Sequence, residues 1–110
     1  MALNVTCVFD EERKYWNMEA EGEVDVATAA QLRALLTQRY EEIPADIVLD
    51  MAELCYIDST GLGVLIGAYG RMKEKGHVIR IVNPRENIAK LLRITCLDKI
   101  FGGDINDRSI

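Results

Sequence analysis

Apolar residues change their spacing several times along this chain, and each change marks an element. Leu3, Val5, Cys7 and Phe9 alternate with Asn4 and Thr6, the period of a half-buried strand. Asp10-Glu11-Glu12-Arg13-Lys14 is a solvated turn, after which Trp16, Met18 and Ala20 alternate with Tyr15, Asn17, Glu19 and Glu21. The two runs predict an antiparallel hairpin, and Gly22-Glu23-Val24-Asp25 leads out of it. Ala29, Leu32, Leu36 and Tyr40 then recur at helical intervals, so a first helix runs to about Glu42. Thr28 and Gln31 have the spacing of a capping box at its start, and Pro44 ends it. Asp46-Ile47-Val48-Leu49-Asp50-Met51 is short and nearly continuous in its apolar centre, as in a strand covered on both sides or central in a sheet.

A second helix follows Ser59, with Leu62, Leu65, Ile66, Tyr69 and Met72 as its apolar stripe and Gly76 as its stop. Gly61, Gly63, Gly67 and Gly70 each cost such a helix about 1 kcal/mol relative to Ala. Close approach of another backbone is the usual reason for that cost. Partner approach is the expectation for Gly61 and Gly63, next to Ser59, and internal packing for Gly67 and Gly70. His77-Val78-Ile79-Arg80-Ile81-Val82 reads as a further strand. Asn83-Pro84-Arg85-Glu86 supplies a helix start with a capping Asn and Pro at the first position. Ile88, Leu91, Leu92 and Thr95 mark the third helix, Leu97 to Phe101 is apolar enough to pack back, Gly102-Gly103 opens a polar tail, and a short fourth helix is expected near the C-terminus. The order predicts an α/β sandwich, with a mixed sheet of four to five strands and helices packed on it. One domain spans residues 1–110.

Charge and cysteine usage narrow the functional classes. Thirteen Lys and Arg against eighteen Asp and Glu leave a net charge of −5, the wrong sign for a nucleic-acid binder. No apolar run approaches the roughly 20 residues that span a bilayer, and the start Met1-Ala2-Leu3-Asn4 lacks the pattern of a signal peptide. Cys7, Cys55 and Cys96 are widely spaced, odd in number and set among apolar neighbours, which predicts buried reduced thiols rather than disulfides or a metal site. The expected compartment is the cytoplasm, with no metal and no cofactor.

The candidate chemistry gathers at Ile57-Asp58-Ser59-Thr60-Gly61-Leu62-Gly63, where an apolar strand meets a glycine-rich helix. A hydroxyl placed there is exposed next to the positive end of a helix. A Ser–His–acid triad is disfavoured: Gly-x-Ser-x-Gly is absent, and the sole histidine, His77, reads as an ordinary exposed residue. The phosphate-loop pattern Gly-x-x-x-x-Gly-Lys-Ser/Thr is absent too, although nucleotide binding at the loop stays open. Local spacing alone favours a capping role for Asp58 or Ser59 over a functional one.

Taken in order, the hairpin, Gly22-Glu23-Val24-Asp25, the buried strand and Asp58-Ser59-Thr60-Gly61-Leu62-Gly63 resemble the STAS domain family, and within it the bacterial anti-sigma factor antagonists. The resemblance covers nearly the whole chain. It implies a binding module rather than an enzyme. The unmodified protein would bind an anti-sigma factor that is a serine kinase and so free a sigma factor. Phosphorylation at Ser59 would switch it off, and a serine phosphatase would reset it. It further implies that Asp25 and Asp58 lie near the partner surface, together with Thr60, Gly61 and Gly63, and that the protein is a monomer or weak dimer. Competing readings are a STAS scaffold in a larger signalling or transport assembly, and a nucleotide-binding sensor using the same loop.

Overall fold

The structure, a computed structural model, describes residues 2–102. Strands β1 (Leu3–Asp10) and β2 (Tyr15–Val24) form the hairpin, followed by α1 (Ala29–Glu42), β3 (Asp46–Ile57), α2 (Ser59–Lys73), β4 (Ile79–Val82), α3 (Glu86–Ile94) and α4 (Asp98–Phe101). The sheet has four strands in the order β1-β2-β3-β4. The β1–β2 pair is antiparallel; β2–β3 and β3–β4 are parallel, each joined by a helical crossover. The mixed α/β sandwich expected from the sequence is therefore present. No described helix is long and apolar enough to cross a membrane.

The alternation in the strands is resolved onto one covered face. Trp16, Met18, Ala20, Ile47, Leu49, Met51, Ile79 and Ile81 are buried against Leu32, Leu36, Leu65, Met72, Ile88, Leu92 and Phe101 from the helices. The residues between them, such as Asn17, Glu19 and Arg80, are exposed. The central strand is thus covered on one side, and of the two arrangements expected for it the structure selects the second, a strand central in its sheet. Its length also exceeds the predicted six residues. Beyond Asp50 the β2–β3 register shifts twice, and the buried positions of β3 change from every second residue to Met51, Leu54 and Ile57. That change turns Cys55 and Tyr56 outward.

Cys55 and Cys96 are exposed and Cys7 is half-buried, all three free, so burial of the thiols was wrongly expected from their apolar neighbours. Cys96 sits at φ 62° at the C-terminus of α3, where its backbone conformation rather than its side chain sets the environment.

Several caps also differ from expectation. Thr28 and Gln31 do not form a capping box. The Thr28 hydroxyl donates to the Glu23 carbonyl at 2.8 Å, and the Gln31 Nε2 donates to the Leu3 carbonyl at 2.8 Å. Asn83 does not cap α3: it takes φ 55° and ends β4, and the helix begins two residues after Pro84. β4 begins at Ile79 rather than His77. His77 is half-buried, not exposed, and its Nδ1 pairs with the Tyr40 hydroxyl at 2.6 Å. The tail expected beyond Gly102-Gly103 lies outside the described residues.

Candidate functional site at the carboxyl ends of β2 and β3

Parallel strands place their carboxyl ends side by side, the end of an α/β sheet where ligands bind. Here Val24 of β2 and Ile57 of β3 are paired in register, so the residues that follow them, Asp25 and Asp58, leave the sheet together. The Asp58 N–H donates to the Val24 carbonyl at 3.1 Å, tying the two exits to each other.

Each aspartate organises the backbone after it. Asp58 is the N-cap of α2, with φ −106° and ψ −174°; its Oδ1 accepts from the Gly61 N–H at 3.0 Å and its carbonyl accepts from the Leu62 N–H at 2.9 Å. Asp25 Oδ1 accepts from the N–H groups of Ala27 and Thr28 at 2.9 and 3.1 Å, while the Asp25 N–H donates to the Thr28 hydroxyl at 3.0 Å. These bonds fold the chain from β2 into α1 without a regular helix cap. The capping reading of Asp58 is therefore correct in geometry, and it leaves Ser59 free of that duty.

Ser59 is the first residue of α2, a helix of 15 residues, and both Ser59 and Thr60 are exposed. The positive end of the helix dipole lies behind them. The segments Ala20–Ala30 and Leu54–Ile66 that build this corner contain Glu21, Glu23, Asp25 and Asp58 and no Lys or Arg. A hydroxyl here is accessible to an incoming protein and has the acidic Asp58 as its immediate neighbour in the chain.

The glycines divide differently from expectation. Gly61 is buried, and a Cβ there would lie 2.6 Å from Val24 Cγ1 and 2.7 Å from Ile57 Cγ1. The glycine lets α2 start hard against the two strand ends, an internal packing role. Gly63 is exposed with open space around it. Gly70 is likewise open, and a Cβ at Gly67 would meet only Arg71, which corrects the expected packing roles of both. Ser59, Gly63, Ile66, Gly67 and Gly70 share the spacing of one helix face.

Periodicity alone missed the exposed apolar residues around this corner. Val26, in the loop that begins at Asp25, is 77% exposed, Tyr56 before the β3 exit is 48% exposed, and Ile66 on α2 is 43% exposed. Ile66 was assigned to the buried stripe of α2, whereas Val64 and Ala68 occupy that stripe with Leu62, Leu65 and Met72. The signal for Val26 was available: an apolar residue inside a turn has no core to enter.

The STAS domain family model matches residues 16–108. The anti-sigma-B factor antagonist of Bacillus subtilis (strain 168) is 36% identical over 88 residues, covering 80% of this chain and 78% of that protein. The anti-sigma-B factor antagonist of Staphylococcus aureus is 27% identical over 99 residues, covering 90% of this chain and 92% of its own. Among solved structures, the Bacillus cell fate determinant SpoIIAA in its phosphorylated form is similar at a TM-score of 0.66 and 22% identity, over 90% of this chain and 87% of that one. At that identity the likeness speaks for the fold alone. With the extent of the family match and the 36% identity to a curated antagonist, this chain belongs to the STAS domain family, among its anti-sigma factor antagonists.

Proposed function

We propose that this protein is a phosphorylation-controlled binding module, not an enzyme, whose unmodified form binds an anti-sigma factor that is a serine kinase and thereby releases a sigma factor. The observation that carries the reading is the position of Ser59: exposed, first in α2, with the adjacent Asp58 already engaged as the cap. The similarity to anti-sigma-B factor antagonists supplies the class of partner. The module acts in the cytoplasm, and Asp25, Asp58, Thr60 and Gly63 lie on or beside the bound surface.

The kinase supplies the reacting machinery. Phosphoryl transfer needs a nucleoside triphosphate, a metal ion and positioned cations, and the Ser59 corner offers acids instead. The Ser59 oxygen bonds to the γ-phosphorus as the bond to the nucleoside diphosphate breaks, and the hydroxyl proton passes to a base on the kinase. The product carries about −1.5 to −2 extra charge at neutral pH. Asp58 and Asp25 already make this surface negative, so a partner shaped for a neutral hydroxyl meets repulsion and a desolvation cost. A serine phosphatase restores the binding form by hydrolysing the ester to Ser59 and inorganic phosphate.

The test uses wild type, Ser59→Ala and Ser59→Asp as baits in an extract of the native cells, with captured proteins identified by mass spectrometry. Retention of an anti-sigma serine kinase by wild type and Ser59→Ala, and its loss with Ser59→Asp, is the expected result. Equal retention on all three baits rejects Ser59 as the switch.

A further inference from the structure

Among the described residues, β1 is the outer strand of the sheet and pairs only with β2, so the backbone groups on its far side have no strand partner there. The hydrogen bonds at its ends reveal which residues carry those groups. The Ala2 carbonyl accepts from the Glu23 N–H at 3.3 Å and the Asp10 carbonyl from the Lys14 N–H at 2.7 Å, so the even-numbered positions turn toward β2. The Leu3 carbonyl points the other way, where Gln31 Nε2 holds it. Sides alternate along a strand, so Val5, Cys7 and Phe9 present both N–H and C=O outward, and Gln31 closes the N-terminal end of the row.

Exposed edges in monomeric proteins are blunted by Lys, Pro, bulges or short length. β1 is eight residues long, pairs with β2 without a register shift, and has neither a charged residue nor a proline from Leu3 to Phe9. Val5, Cys7 and Phe9 also lie on the helix-covered side of the sheet but are only partly buried, so the core is left half-open along this rim.

We infer that β1 pairs antiparallel with β1 of a second copy of this chain, about a twofold axis through Cys7. Directly opposed residues in an antiparallel pair share a face, and outward-directed residues must oppose each other to exchange both bonds. With Cys7 opposite Cys7, Val5 faces Phe9 in both halves, and the three positions exchange roughly six backbone hydrogen bonds. Registers centred nearer the N-terminus require the Leu3 carbonyl that Gln31 already holds, and those centred later leave Val5 unpaired. On the open face Thr6 meets Val8 and Asn4 meets Asp10, so no like charges oppose one another. The half-open rim of one copy closes the rim of the other, which is why a second copy fits this edge.

The pairing places the two Cys7 Cα atoms about 5.5 Å apart at a hydrogen-bonded position, where the Cβ atoms stand too far apart for an unstrained direct disulfide but within reach of a short thiol-to-thiol cross-linker. In a Cys55→Ser/Cys96→Ser chain, a short bis-methanethiosulfonate cross-linker should therefore yield a covalent dimer through Cys7. Burial pushes the Cys7 thiol up in pKa, so the reaction is run at mildly alkaline pH. Sedimentation of the unmodified chain over a concentration series should show a reversible monomer–dimer equilibrium. Cys7→Pro removes an outward N–H while sparing the bonds to β2 and should leave a folded monomer. Absence of the concentration-dependent dimer, absence of the Cys7 cross-link, or a dimer that persists in folded Cys7→Pro overturns the pairing. Should Cys7→Pro not fold, the cross-link and the sedimentation series decide the matter between them.

Discussion

A methyl group added at Gly61 would come within 2.6 Å of Val24 Cγ1 and 2.7 Å of Ile57 Cγ1, both on buried, β-branched side chains with little freedom to yield. Gly61→Ala should lose about 1–3 kcal/mol through overpacking, more than the better helix propensity of Ala returns. Gly63 has open space at the same atom, so Gly63→Ala should gain about 0.5–1 kcal/mol. Urea unfolding of both variants checks the pair, and equal effects would mean that the corner between β2, β3 and α2 is looser than its distances imply. The contrast also separates folding from recognition. Gly63→Leu should melt no lower than wild type while weakening the kinase complex, because the larger side chain fills only the exposed surface. Spacing alone did not distinguish these two glycines. Gly61 lies one residue and Gly63 three residues past the Ser59–Thr60 pair, and only the approach of Val24 and Ile57 assigns one of them to the interior.

Elements, unlike single residues, were largely legible: hairpin, two crossovers and the α2 start follow from periods of two and 3.6. What escaped was how elements end and change phase. β3 keeps its two-residue period to Met51 and passes through two register shifts beyond Asp50, so Cys55 and Tyr56, apolar by type, face outward. No local pattern carries that information, because the shift belongs to the pairing with β2. The end of α3 is similar. The Leu97 N–H donates to the Leu92 carbonyl at 2.8 Å and the Cys96 N–H to the Arg93 carbonyl at 3.1 Å, a Schellman closure with buried Leu97 as its apolar contact. The left-handed position in that closure is ordinarily Gly, and here it is Cys96 at φ 62°. Cys96→Gly should stabilise the protein by about 1 kcal/mol by relieving that conformation. A fall in the urea midpoint would instead assign Cys96 a packing role. At the head of α2, Asp58→Asn should keep the cap and the stability, whereas Asp58→Ala should lose about 1 kcal/mol. If Asp58→Asn binds the kinase as well as wild type does, the charge of Asp58 has no part in recognition.

At the scale of the whole molecule, the modification and the core are physically separate. The core lies between one face of the sheet and the helices, while Ser59 is on the rim, with its backbone in the first turn of α2 and its side chain in solvent. A phosphate there meets two opposing fields: the helix N-terminus favours it by about 0.3–1 kcal/mol, and the neighbouring Asp58 opposes it. Their near balance leaves little net effect on folding. A bound partner changes the balance, because it excludes the water that screens the phosphate from Asp58, Asp25 and any acid brought by the partner. Ser59-phosphorylated protein should therefore melt within about 3 °C of the unmodified form, a shift worth less than roughly 1 kcal/mol at this size. Its affinity for the kinase should fall at least tenfold, or about 1.4 kcal/mol. Calorimetry on the two forms, with thermal unfolding on the same samples, reads both quantities. A large drop in melting temperature with an unchanged affinity for the folded fraction would mean that the phosphate acts by melting the start of α2. A loss of affinity at constant stability places the switch on the surface, where the geometry puts Ser59.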